Sequence, residues 1–249
     1  MNTKTLLLTG ATAVSLGLSA FATTYNGNGN TGFGGTIGNG SLTLTDNGTT
    51  LSGTVVNGNG NFNNVFVLYI DSVSGGFSDT SGFADANDGL RRAISGFDGG
   101  ANRSTMTFAS GFLPDYAIAL GPNPSENFGG LWSLANGGNN SLGFVSTVNL
   151  TPTGVTSSST YTFSLNLSSL GLTPGTGQSF GLFGTYISDT GFRSTEALAA
   201  ANDSGTQGWN PFTQAAAATF TTTTVPEPTT MALAGMSGLA TLFMIRRRR

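Results

Sequence analysis

The stretch Val65-Phe66-Val67-Leu68-Tyr69-Ile70, followed by Asp71, is a continuous apolar run of six residues. A short run of this kind, rich in β-branched and aromatic residues, is typical of a strand that is buried on both faces. It therefore predicts a central strand in a sheet that is covered on both sides. What surrounds this strand in the sequence then decides the fold.

The segment before the central strand predicts a β-hairpin. Residues 41–45 alternate between leucine and Ser/Thr, Asp46-Asn47-Gly48 supplies a turn, and residues 51–56 return the chain. Upstream of the hairpin, residues 23–40 are rich in Gly and Asn. Their composition predicts a flexible lead-in to the domain.

The segment after the central strand predicts more short strands and almost no helix. Apolar or alternating patterns predict strands at residues 105–112, 116–120, 131–134, 142–148, 161–167, 180–187 and 217–224. Short helical turns are predicted at residues 90–94 and 196–201. Nine or ten short strands with regular turn signals indicate an all-β fold, an antiparallel β-sandwich of jelly-roll-like type, over residues 41–224.

Composition excludes several classes of function. The chain has no Cys and no His, which rules out Ser-His-Asp and Cys-His nucleophilic sites and His/Cys zinc sites. Between residues 23 and 225 there are 4 basic against 11 acidic residues, a net charge of about −7. A surface of that charge is unsuited to nucleic acid, which requires a basic face. The expectation is a protein without cofactor and without catalytic residues.

Carboxylates are the chemistry that remains. A glycan hydrolase can work with two of them, and the candidates are Asp71, Asp98, Asp115, Glu126, Asp189 and Glu196. Their spacing singles out no pair. A calcium site at Asp85, Asn87 and Asp88 is a further option, because these residues concentrate hard oxygen ligands. The same residues next to Gly89 are ordinary turn formers, and the turn is the favoured interpretation.

Aromatic side chains offer a third kind of site, a platform on which a sugar ring can stack. The candidates for ligand binding are Trp209, Tyr186 and Tyr116. Trp132 lies between Leu131 and Leu134, and this apolar setting predicts a core position.

The N-terminus predicts export. Lys4 precedes an apolar run at residues 6–18, and Ala20 and Ala22 provide the small residues that a signal peptidase reads. Residues 1–22 are therefore predicted to be a signal peptide that leaves Thr23 as the first residue of the mature protein.

The C-terminus combines three elements in a fixed order. Val225-Pro226-Glu227-Pro228 is followed by an uncharged run at residues 229–245 and by the block Arg246, Arg247, Arg248 and Arg249. As a helix the run would span about 25 Å, close to the thickness of a hydrocarbon core. The arginines would stay cytoplasmic and stop further translocation.

Residues 225–249 closely resemble the PEP-CTERM sorting tail of exported bacterial proteins. The resemblance implies a transient anchor in the inner membrane, cleavage near the Pro-Glu-Pro motif by the membrane enzyme exosortase, and delivery to the cell surface or the extracellular polysaccharide layer.

A second resemblance concerns the mature domain. The stretches at residues 65–76, 108–120 and 160–175 are similar to DOMON-like domains and family 9 carbohydrate-binding modules. This likeness implies a β-sandwich that binds glycans or small ligands. Three functions follow from the sequence, in this order of preference: a non-catalytic surface protein associated with extracellular polysaccharide, a secreted carboxylate-dependent glycan hydrolase, and a coat protein that self-associates through sheet edges.

Overall fold

The computed structural model describes residues 22–134, 142–199 and 203–225. One α-helix, α1 (Gly89–Ser95), and a 3₁₀ helix (Leu167–Leu170) are present in these ranges. The strands of the described residues are β1 Thr23–Asn26, β2 Ser41–Asp46, β3 Thr50–Val56, β4 Val65–Asp71, β5 Thr105–Thr107, β6 Tyr116–Gly121, β7 Phe128–Ser133, β8 Gly143–Thr147, β9 Asn149–Thr151, β10 Thr160–Asn166, β11 Ser179–Ile187, β12 Arg193–Leu198, β13 Asp203–Ser204, β14 Pro211–Gln214 and β15 Ala218–Thr221.

Two antiparallel sheets form the body of the fold. The smaller sheet has the order β1-β2-β3-β10-β9, and the larger one has the order β12-β11-β4-β6-β7-β8. β15 pairs with the same edge of β11 as β12 does, but with the first residues of β11, whereas β12 pairs with the last ones. A third sheet, β13-β14-β5, contains a parallel pair. The predicted antiparallel β-sandwich is confirmed.

The apolar run that starts at Val65 is the central strand β4, as predicted. It lies between β11 and β6, with Leu68 opposite Gly184 on one side and Ile118 on the other. Alternate residues point to opposite faces. Phe66, Leu68 and Ile70 join one hydrophobic cluster, and the residues between them join another.

The first cluster fills the space between the two main sheets. The alternating leucines of the hairpin β2–β3 enter it from the smaller sheet, together with Tyr161 and Phe163 of β10. Phe163 lies directly across from Gly53, where a Cβ would come within 2.1 Å of its ring. The hairpin prediction at residues 41–56 is confirmed, and Gly53 provides the space for the ring.

The second cluster lies on the other face of the larger sheet. Helix α1 and the third sheet cover this face, and Leu90, Ile94, Met106 and Phe212 are buried in it. The helix begins after Asp88, whose side chain accepts the Arg91 N–H, and ends at Gly96 in a left-handed conformation. The helical turn predicted at residues 90–94 is confirmed.

Three local expectations are wrong. Residues 23–40 are not a flexible lead-in: β1 pairs with β2, and Thr36 and Ile37 are fully buried. Residues 196–198 of the predicted helix 196–201 belong to strand β12, because Glu196 turns inward to the loop at residues 35–38. The strand predicted at residues 105–112 ends at Thr107.

Several predictions concern residues outside the described ranges. They are the predicted signal peptide through Phe21, the turn at residues 135–140, and the tail from Pro226 to Arg249 with its predicted transmembrane helix at residues 229–245. Among the residues that the structure does describe, no helix is sufficiently long and apolar to cross a membrane.

Candidate functional site

Three half-buried aromatic rings meet at one edge of the larger sheet. We call Phe33, Phe192 and Trp209 the aromatic patch. The rings of Phe33 and Phe192 stack, with centroids 6.0 Å apart and planes 25° from parallel. The Trp209 ring meets Phe192 edge-on at 5.6 Å. All three side chains keep part of their surface in solvent.

Backbone pairing fixes two of these rings side by side. Arg193 and Gly208 form an isolated antiparallel bridge, in which the Gly208 N–H donates to the Arg193 carbonyl at 2.9 Å. Phe192 and Trp209 are the neighbours of that pair in the sequence. The bridge therefore holds the two rings in contact before any ligand arrives.

Side-chain amides hold the third ring in place. Asn28 and Asn30 both donate their Nδ2 groups to the Thr195 carbonyl, at 2.8 and 2.9 Å. Thr195 lies in β12, three residues after Phe192. The Gly/Asn-rich loop is thereby tied to the strand that carries the rest of the patch, and Phe33 has a fixed position.

Uncharged polar groups adjoin the rings. The Ser188 Oγ accepts the Phe192 N–H at 3.0 Å and lies 2.7 Å from the Thr190 hydroxyl. Asn210, next to Trp209, donates its Nδ2 to the Thr206 carbonyl. Aromatic faces beside amides and hydroxyls can bind an uncharged ligand that has apolar faces and hydroxyl groups.

The aromatic residues that the sequence suggested for ligand binding have different surroundings in the structure. Trp209 is in the patch. Tyr186 is fully buried, which corrects its role as a platform: its ring supports Phe33 at 6.0 Å, and burial raises the pKa of its phenol to about 12. Tyr116 is half-buried at the start of β6 and packs against the core between the main sheets. Trp132 is 2% exposed, as predicted for a core position.

The segment at residues 85–89 forms a turn and a helix cap. The Asp85 carboxylate is 2.7 Å from Arg91 Nη1 and also accepts the Leu142 N–H. The Asp88 carboxylate accepts the Arg91 N–H and lies 3.0 Å from Arg91 Nε, while Asn87 is exposed. Arg91 and backbone N–H groups thus occupy both carboxylates. Within the described ranges, no three or more acidic side chains gather as a metal site would require.

Among the six candidate carboxylates, Asp71 and Asp115 lie at neighbouring strand ends. Asp71 ends β4 and Asp115 precedes β6, where the Asp115 N–H donates to the Ile70 carbonyl at 2.8 Å. Asp115 is 1% exposed. Burial raises the pKa of Asp115, and the nearby charge of Asp71 raises it further, although two backbone N–H groups lower it.

The other acids have different surroundings. Glu196 is fully buried, and its oxygens accept the N–H groups of Gly35, Ile37 and Gly38 at 2.9–3.0 Å. Burial and then the charges of Asp189 and Asp88 raise the pKa of Glu126. Glu196 binds a loop and has no free oxygen for proton transfer at a substrate.

Comparison with known protein families identifies a motif at the C-terminal end of the chain. The PEP-CTERM protein-sorting motif is found at residues 224–249. The chain is therefore an exported protein that is anchored in the membrane before exosortase processes it. No curated protein matches the chain. No solved structure matches it either, and the likeness to DOMON-like and family 9 modules stays a prediction.

Proposed function

We propose that this exosortase substrate is a non-catalytic surface protein whose β-sandwich associates with extracellular polysaccharide through the aromatic patch. One observation carries the proposal: Phe33, Phe192 and Trp209 are brought together from three separate loops and remain partly exposed. Three partly exposed rings that meet on the surface form an apolar cluster, and such a cluster requires an explanation.

The patch suits a sugar polymer for two physical reasons. Aromatic faces pack against the C–H faces of pyranose rings, and neighbouring amides and hydroxyls can bind sugar hydroxyls. The rings are also held by backbone and side-chain hydrogen bonds, so binding loses little conformational entropy. Each contact would be weak, and a repeating polymer in a dense layer would add avidity.

The net charge of the domain indicates which kind of glycan the patch can bind. The segment 23–225 is strongly acidic, with 4 basic and 11 acidic residues. Long-range repulsion disfavours anionic polymers. The patch is accordingly proposed to bind neutral glycans rather than uronate-rich or sulfated ones.

A glycan array with the mature protein tests this proposal. The arms are wild type, Trp209→Ala, and Phe144→Ala as a matched control that removes an exposed ring outside the patch. Binding to neutral glycans that falls at least tenfold in Trp209→Ala and persists in Phe144→Ala supports the patch. No binding by a folded wild type contradicts it. Repeating the array with calcium tests the option at Asp85, Asn87 and Asp88.

Self-association is a second candidate, favoured by strand β8. This strand ends the larger sheet, and Phe144 and Val145 are 49% and 41% exposed. β8 has no charged residue and no proline, the features that usually protect an edge from pairing with another chain. A coat formed by edge pairing would need no ligand.

The carboxylate-dependent hydrolase ranks last. Asp71 lines a cleft of about 450 Å³ with Phe112 and residues 215–219, but Asp115 is not part of that lining. A glycosidase needs both carboxylates to face the substrate. The Asp71–Asp115 pair has one member buried outside this cleft, which disfavours this chemistry.

A further inference from the structure

The described chain stays bound to the domain up to Val225. Thr222 donates its N–H and its hydroxyl to the Gln178 carbonyl at 2.9 and 3.0 Å. The Val225 N–H donates to the Gly175 carbonyl at 2.9 Å. We call residues 222–225, with the groups that hold them, the C-terminal clamp.

Asp46 is the centre of the clamp. Its carboxylate accepts the Thr223 N–H at 2.9 Å and the Thr223 hydroxyl at 3.0 Å, and it also accepts the Gly48 N–H at 2.8 Å. Asp46 is 3% exposed. Hydrogen bonds to an ionised, buried acceptor are among the stronger ones in proteins. This carboxylate joins the β2–β3 turn to a residue 177 positions later.

Two glycines complete the clamp by leaving space for Val225. A Cβ at Gly48 would lie 2.3 Å from Val225 Cγ2, and a Cβ at Gly175 would lie 3.1 Å from Val225 Cβ. Both glycines have positive φ values, 87° and 75°. The Val225 side chain therefore lies on a surface that only glycine can provide at these positions.

The match to the sorting motif begins at residue 224, inside the clamp, and the Pro-Glu-Pro sequence follows the clamp directly. Only Pro226, Glu227 and Pro228 separate Val225 from the apolar run that starts at Thr229. Three residues span at most about 10 Å when fully extended. A protease that binds its substrate as an extended strand needs residues on both sides of the bond it cleaves.

We infer that the C-terminal clamp must open before exosortase cleaves the chain, and that Asp46 is the positioning residue that controls the opening. Opening releases residues 222–225 and adds about 13 Å of extended chain between the domain and the membrane segment. The rate of processing then depends on the free energy of this local opening. The inference rests on exosortase processing alone and is independent of the glycan proposal.

Thr176 and Thr224 are positions at which an introduced disulfide, which we call the lock, would hold the clamp closed reversibly. They form an isolated antiparallel bridge, and the Val225 N–H to Gly175 carbonyl bond identifies them as a non-hydrogen-bonded pair. Cα atoms in such pairs are about 4.5 Å apart, which a disulfide can span. The chain has no cysteine, so Thr176→Cys/Thr224→Cys creates a single defined crosslink.

Pulse-chase conversion of the full precursor, in cells that make exosortase, measures the effect. We expect the oxidised lock to slow conversion at least tenfold, and reductant to restore it. The matched control is Thr24→Cys/Thr43→Cys, another Thr–Thr pair of an antiparallel ladder, with hydroxyls 2.8 Å apart and no contact with the tail. The control should convert at the wild-type rate.

Asp46→Asn tests the inference from the opposite side, by weakening the clamp. The amide retains one acceptor oxygen and removes the charge, so the clamp weakens and conversion should become several-fold faster. Asp98→Asn alters an exposed turn away from the tail and should leave the rate unchanged. Conversion of the oxidised lock at the wild-type rate, or equal slowing by the control crosslink, overturns the inference even if Asp46→Asn fails to fold.

Discussion

Ile37 donates its backbone N–H to the Glu196 carboxylate at 2.9 Å, across 159 residues of sequence, and both residues are fully buried. The same carboxylate accepts the N–H groups of Gly35 and Gly38. Glu196 therefore satisfies three donors of a loop that lies against the edge of the larger sheet. The contact makes this loop part of the rigid domain and fixes Phe33 within the aromatic patch.

Removing the Glu196 carboxylate should destabilise the domain. Glu196→Ala leaves three buried N–H groups without acceptors, and we expect a loss of about 3–5 kcal/mol in the free energy of unfolding. Glu196→Gln keeps one acceptor oxygen and should cost less. Urea denaturation measures both. Glu126→Gln is the matched control and should not destabilise the domain, because burial and nearby acids already raise the pKa of Glu126. A Glu196→Ala variant as stable as wild type would contradict the role of this carboxylate.

The two tryptophans should report separately on the core and on the patch. Trp132 is 2% exposed, whereas Trp209 is half-buried. The single-tryptophan variant Trp132→Phe should emit at longer wavelength and be quenched by acrylamide several-fold more strongly than Trp209→Phe. A neutral glycan that binds the patch should protect Trp209 from the quencher. Equal quenching of the two variants would contradict the exposure difference on which the patch depends.

Local patterns predicted the central strand and the hairpin, because their physical causes are local. Residues 65–70 need only apolar side chains on both faces, and residues 41–56 need alternation around a turn. The lead-in was mispredicted because its Gly/Asn composition is also that of a flexible linker. Its order comes from Glu196, and a contact over that sequence distance leaves no local pattern.

The same distinction applies to the candidate site. Trp209 could be singled out as an aromatic residue between glycine, asparagine and proline. Its partners could not, because Phe192 comes near it through the pairing of Arg193 with Gly208, and Phe33 is placed by the bonds of Asn28 and Asn30 to Thr195. One signal was present: Phe33 is the single large apolar residue between Gly27 and Thr36. An isolated ring in a polar loop indicates a packing or binding role.

Introducing a charge on strand β8 should distinguish the two leading candidate functions, glycan binding and self-association. Val145→Lys places a cation on the exposed edge, which blocks pairing between sheets of different molecules. If the protein forms a coat, sedimentation should show assemblies for wild type and monomers for Val145→Lys. Val155→Lys is the matched control, because Val155 is equally exposed, at 41%, but lies in a loop. Unchanged assembly in Val145→Lys would place the interface elsewhere.

Asp115 should make the protein less stable as pH rises. Its pKa is raised by burial first and then by Asp71, so the folded state binds the proton more tightly than the unfolded state does. Stability is then greatest below the ordinary aspartate pKa, about 3.9, and falls until the pH exceeds the raised value. Asp115→Asn removes this penalty while an oxygen can still accept the Ser72 and Val73 N–H groups.

We expect Asp115→Asn to raise Tm at pH 7, because the neutral amide does not carry the cost of ionising a buried carboxyl. The gain should disappear near pH 3. Asp98→Asn should lower Tm at pH 7 instead, because the Gly100 N–H lowers the pKa of Asp98 and the charged carboxylate therefore favours the folded state. Thermal unfolding at several pH values measures both variants. A gain that persists at pH 3 would show that packing, not ionisation, explains the effect.

Arg193 is a buried cation without a carboxylate partner among the described residues. It is 0% exposed, its Nη1 donates to the Thr185 hydroxyl at 3.1 Å, and its guanidinium lies 5.6 Å from the Phe212 ring. Its Nε and Nη2 have no hydrogen-bond acceptor within the described ranges, and its charge also acts on the buried Tyr69 phenol, whose pKa it lowers against the larger effect of burial. Desolvating an unpaired charge is costly, and a packed apolar side chain often replaces such a group without loss.

Arg193→Met should therefore stabilise the domain by about 1–2 kcal/mol in urea denaturation. The thioether side chain fills similar space, and the backbone bridge to Gly208 stays intact. Thr185→Val, which removes only the hydroxyl that Arg193 contacts, is the matched control and should destabilise, because it leaves the guanidinium with one bond fewer. A large loss of stability in Arg193→Met would show that the guanidinium charge supports the strand next to the aromatic patch.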